Sequence, residues 1–126
     1  MKLIVVLRWV IAVFFVAAGV NHFRTPEIYL AMMPSWLPAP SALNGISGVA
    51  EILGGLGLLV PRTRRFAGWG LIALLVAVFP ANVHAALLGH MTGVNVSPAI
   101  LWVRLPFQAV FIAWVWWVAL GQDADR

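Results

Sequence analysis

In a chain that is 63% hydrophobic and only 10% charged, the residues able to do chemistry can be named one by one. The most informative is Glu51, a carboxylate in the middle of an apolar run. An ionisable group inside such a run is costly, so by default it marks a functional site and has a partner. Left unpaired, it must carry a proton or be matched by a cation. Asn44, Ser47, Gly48, Gly54 and Gly55 recur around it at i, i+3, i+4 spacing, a stripe of small and polar side chains that must face other helices. Two arginines are candidate partners. Arg104 shares a helical face with Gln108 in the last apolar run, and Arg8 shares one with Ile11, Phe15, Ala18 and His22 in the first. Arg104 is preferred, because Arg8 lies close enough to the end of its run to snorkel out.

The remaining polar groups gather at the ends of the first and third runs. Asn21 and His22 close the first, Asn82 and His84 close the third, and His90 follows in the next connection. Positions 82 and 84 fall on nearly opposite sides of an ideal helix. His84 continues the small-residue face Gly70, Ala73, Ala77, Ala81, and it is expected to be the inward one. Asn21, His22, Asn44, Ser47, Glu51, His84, Arg104 and Gln108 thus all lie at the midpoint or toward one end of the runs. The other half has only Arg8. This asymmetry predicts a polar pocket open to one side, with interhelical register-setting as the plainer alternative. No metal site is expected. Haem ligation by His22 and His84 is disfavoured, since histidine pairs near an interface are unspecific. With no cysteine in the chain, disulfides, thiolate nucleophiles, iron–sulfur clusters and cysteine-type zinc sites are excluded.

The elements that must position these residues follow from the hydropathy. A chain of 126 residues with a mean hydropathy of +0.96 cannot cover a water-facing surface. Four apolar runs, 3–20, 42–60, 66–88 and 98–120, are each of membrane-spanning length. They predict an all-α, polytopic membrane protein, a single domain over residues 1–126 built as a four-transmembrane-helix bundle. Pro61 ends the second run, Ser97-Pro98 opens the fourth, and Gly121 and Asp123 close it. Thr25-Pro26-Glu27 looks like a helix start, so a short interfacial helix is expected in the first outer loop, with an ordinary connecting loop as the plainer reading. Pro80 and Pro106 interrupt the third and fourth runs at similar depth, where kinks would open a cavity.

Lys2 precedes the first run, and Arg62, Arg64 and Arg65 lie between the second and third, whereas the other two loops contain only Arg24. The positive-inside rule then places both termini and the Arg62–Arg65 loop in the cytoplasm, with the pocket facing outward. The net charge of +4 reads as a topology signal and implies no nucleic-acid partner. Trp114, Trp116 and Trp117 fall where an interfacial aromatic belt belongs, with a docking surface as the alternative.

Several segments resemble the DoxX family of small membrane proteins: Gly19-Val20-Asn21-His22-Phe23, Leu37-Pro38-Ala39-Pro40, Ser47 through Gly55, Leu58-Leu59-Val60-Pro61, and Arg62-Thr63-Arg64-Arg65 before Ala67-Gly68-Trp69-Gly70. The resemblance implies a four-helix bundle of the bacterial inner membrane. It also implies a quinone-interacting subunit of a redox or oxidative-stress complex, with a membrane or periplasmic partner supplying electrons. In that reading Glu51 and His22 or His84 exchange protons with a quinone head group, and the chain carries no intrinsic cofactor. The alternative is a non-enzymatic assembly factor, or a protein that binds lipid or another hydrophobic ligand, alone or as a homo-oligomer.

Overall fold

Apolar runs of this length satisfy their backbone groups internally only as helices, and helices are what form. The computed structural model describes residues 2–33, 36–89 and 97–121. Among these there are five helices and no strand: α1 (Leu3–Arg24), α2 (Pro26–Met32), α3 (Pro40–Leu59), α4 (Arg64–Leu88) and α5 (Pro98–Ala119). The four longer helices are each long and apolar enough to cross a membrane. Their limits differ from the apolar runs mainly at polar ends. Helix α1 continues through Asn21-His22-Phe23-Arg24, because a helix needs no apolar side chain to keep its hydrogen bonds once its packing is set. Helix α4 begins at Arg64, where the Thr63 hydroxyl bonds the Gly57 carbonyl oxygen and Arg64 Nε donates to the Leu58 carbonyl oxygen. Helices α3 and α5 each start on a proline, whose missing N–H costs nothing in a first turn.

Proline has a different effect inside a helix, yet α4 runs through Pro80 and α5 through Pro106 without a break. The short helix expected in the first connection is α2, which starts at Pro26 and packs against α1, α3 and α4 across one end of the bundle. His90, the connection through 90–96 and Asp123 lie outside the described residues.

Consecutive long helices run antiparallel. Helix α1 packs chiefly on α3 and α5 on α4, with α3 against α4 between them. The α1–α3 crossing is close because glycine faces backbone: a Cβ on Gly19 would lie 2.6 Å from the Gly48 carbonyl oxygen, and one on Gly55 would lie 2.7 Å from that of Ala12. Two apolar clusters hold the bundle. The larger contains Ile11, Phe15, Leu58, Leu71, Val115 and Val118 at the end bearing the Arg62–Arg65 turn. The smaller, at the α2 end, joins Ala85, Ala86 and Leu101 to Tyr29, Ala31 and Leu105. Between them along α4 and α5 come Leu75, Val78, Asn82, Arg104 and Gln108, and there the packing opens into a largely apolar cavity with polar groups on its wall.

Candidate functional site

The glycine-mediated approach of α1 to α3 sets which polar side chains can meet. Because the two helices run antiparallel, His22, one turn past Gly19, comes level with Gly48, where a Cβ would lie 2.9 Å from that of His22, and the Glu51 carboxylate one turn further along α3 reaches back to the imidazole. His22 Nε2 is 2.6 Å from Glu51 Oε2, and both side chains are largely buried. The expected pairing of Glu51 with Arg104 therefore does not form: Glu51 is met by a histidine from the neighbouring helix. Oε2 is buried and has no hydrogen-bond partner apart from this contact.

A second layer of contacts fixes the protonation of the pair. His22 Nδ1 is 2.7 Å from Asn44 Oδ1, and Asn44 Nδ2 donates to the His22 carbonyl oxygen at 2.9 Å. Because that second bond assigns the amide nitrogen, Oδ1 must accept, so Nδ1 carries the hydrogen. Nε2 and Oε2 then face each other at 2.6 Å with room for one proton between them. With none, two lone pairs collide. With two, both groups present hydrogens. The pair is neutral overall wherever that proton sits. Tyr29 from α2 stacks on the imidazole with ring centroids 3.7 Å apart, and its hydroxyl accepts from Asn21 Nδ2 at 2.9 Å. The short helix is thereby tied over the site.

The opposite wall carries the positive charge. Arg104 Nη2 donates to Asn82 Oδ1 at 3.1 Å, Asn82 Nδ2 donates to Gln108 Oε1 at 2.5 Å, and Gln108 Nε2 donates to the Leu75 carbonyl oxygen. This chain of amides holds the guanidinium on α4. No carboxylate pairs with Arg104 among the described residues. Glu51, His22, Ser47, Tyr29, Asn82 and Arg104 line one cavity of about 160 Å³. A second cavity, of about 320 Å³, shares Tyr29, Glu51, Asn82 and Arg104 and extends between α1 and α5 beside Phe14, Phe107 and Phe111.

Of the residues proposed from sequence, His22, Ser47, Glu51 and Arg104 line the first cavity and Gln108 the second. Asn44 and Asn21 stand behind them as hydrogen-bond supports for His22 and Tyr29. His84 is in neither lining. The inward position is Asn82, which lies on the face Leu71, Leu75, Val78, whereas Gly70, Ala73 and Ala77 are exposed. Small residues on α4 therefore fall on both sides of the helix, with Gly68, Ala85 and Ala86 buried, and do not by themselves mark its inward face. Arg8 Nε donates to the Val118 carbonyl oxygen at 3.0 Å, remote from Glu51. Tyr29 was not anticipated. The signal for it was present, since it is the chain's single tyrosine and sits on the segment expected to form the short interfacial helix.

The chain matches no curated protein and no solved structure. Residues 11–119 match the family model described as Domain of unknown function (DUF8561), and DoxX finds no support. Shared glycine-rich helices and proline-bearing turns, which any tightly packed apolar bundle needs, account for that resemblance. With the match running from the middle of α1 to the end of α5, the chain belongs to the DUF8561 family.

Proposed function

We propose that this chain is a multi-pass membrane protein that binds a membrane-soluble molecule of the quinone class. Helices α1, α3, α4 and α5 would span the bilayer, with the termini and the Arg62–Arg65 turn cytoplasmic and the α2 end outward. The observation that carries the ligand reading is the 2.6 Å contact between His22 Nε2 and Glu51 Oε2, set in the wall of a cavity that Arg104 also lines. A quinone head group presents carbonyl oxygens as acceptors. The guanidinium donates to one, and the histidine–carboxylate pair offers a proton to another. Reduction of a quinone to a quinol takes two electrons and two protons. The electrons would come from a partner protein, and this chain's residues hold a proton at Nε2 or Oε2 and fix a positive charge.

The test is mass spectrometry of the organic extract from protein purified in mild detergent, for the wild type and for Glu51→Ala, with quinone added back to both. Near-stoichiometric quinone in the wild type and its loss in the variant are the expected result. Failure of the wild type to retain quinone, native or added, would sink this reading. One observation favours a second ligand class: among the described residues Arg104 has no carboxylate partner, which suits an anionic lipid or fatty acid. Such a molecule in the same extract would move the assignment there.

A further inference from the structure

We infer that the ligand reaches the pocket sideways from the bilayer, through a cleft between α1 and α5, and leaves its apolar chain in that cleft. The inference rests on the membrane reading and specifies the ligand further: a compact head group bearing acceptor oxygens on a long hydrocarbon or isoprenoid tail.

Three observations place the passage. Among the described residues, the contacts that pin α1 to α5 lie toward the end bearing the Arg62–Arg65 turn. Arg8 Nε bonds the Val118 carbonyl oxygen at 3.0 Å, Trp114 Nε1 bonds that of Leu7 at 3.1 Å, and Phe14 stacks on Phe111 with centroids 4.9 Å apart. Beyond that stack toward the α2 end, the two helices are separated by the 320 Å³ cavity, so the Phe14–Phe111 pair forms its sill. The cavity also grades in polarity. Phe14 and Phe107 stand at its mouth, 44% and 54% exposed, while Glu51, Asn82, Arg104 and Gln108 lie at its depth. A tailed molecule fits such a gradient head-first, with charge complementarity at the guanidinium and aliphatic contact at the phenylalanines. By contrast, the α2 end is covered by Tyr29, held on His22 and by Asn21. A head group arriving from water would have to displace that stack.

The absence of cysteine allows a clean test. Phe14→Cys and Phe111→Cys, introduced together, would be bridged across the mouth with a short, reducible bis-methanethiosulfonate. The unbridged double variant sets the reference rate for exchange of a decyl-benzoquinone. Bridging should slow that exchange at least tenfold, and reductant should restore it. Exchange unaffected by the bridge overturns the lateral passage, whereas no quinone binding in the unbridged protein overturns the ligand class alone. A stearyl diazirine in phosphatidylcholine vesicles tests the passage without assuming any head group. Photo-adducts on Leu75 and Val78 that vanish on bridging support it. Adducts confined to exposed side chains such as Trp69 and Val76 overturn it.

Discussion

The α1–α3 crossing is the part of the molecule on which the site depends most directly, and Gly19→Ala tests it with one methyl group. A Cβ at position 19 would sit 2.6 Å from the Gly48 carbonyl oxygen and 2.9 Å from the Ile52 amide nitrogen, both backbone atoms of the facing helix. Neither can turn aside as a side chain would. Relief to the ordinary contact distance of 3.4 Å requires the helices to part by the difference, about 0.8 Å. His22 and Glu51 lie one turn away on the same two helices, so their 2.6 Å contact should lengthen by a similar amount and cease to share a proton. Overpacking of this kind costs roughly 1–3 kcal/mol. Gly70→Ala makes the same chemical change where nothing lies within 4 Å. There, helix propensity alone should act, a gain of up to about 1 kcal/mol. Thermal unfolding in detergent should separate the two variants, with Gly19→Ala melting several degrees below the wild type and Gly70→Ala at or above it. Quinone retention should fall only in the first. Gly19→Ala with wild-type melting and wild-type retention would refute the claim that this crossing sets the site.

Three other perturbations probe the same geometry. Asn44→Leu removes both the acceptor for His22 Nδ1 and the donor to the His22 carbonyl oxygen, so it should cost about 1–3 kcal/mol for the unsatisfied buried groups, and ¹⁵N spectra of His22 should lose the signature of a persistently protonated Nδ1. Asn82→Ala should release Arg104 and Gln108 together and lower ligand retention at least severalfold, whereas His84→Ala, outside both cavities, should leave retention at the wild-type level; equal losses would mean that the lining is misassigned. For orientation, a single cysteine replacing exposed Arg62 should react with an impermeant maleimide only from the cytoplasmic side, and one replacing exposed Trp36 only from the other; the reverse pattern would invert the pocket.

What the sequence alone reveals about this bundle depends on whether the signal is local. The helices were legible because run length and hydropathy act within one segment, and Glu51 was legible because a charge in such a run has no local remedy. Its partner was not. Spacing places Glu51 on a face of α3 but says nothing about which residue of another helix lies opposite, and Coulombic preference pointed to an arginine. The choice fell to steric fit: glycine against glycine drew α1 so close to α3 that His22 came within 2.6 Å first.

The misreading of α4 has the same root. In a water-soluble bundle the outward face is polar, so the remaining face can be read as the interior. A helix surrounded by lipid has no such contrast, and small residues serve equally for close packing and for a slim outer surface. On α4 the interior is instead traced by Leu71, Leu75, Val78 and Asn82, at steps of four, three and four, with the polar group last. That 4-3-4 rhythm continues to Ala85 and Ala86, both buried in the apolar cluster at the α2 end. Bundle periodicity extended from a known buried apolar residue would have chosen Asn82 over His84. The polar residue that continues the apolar stripe faces the cavity, because the stripe records what the neighbouring helices cover.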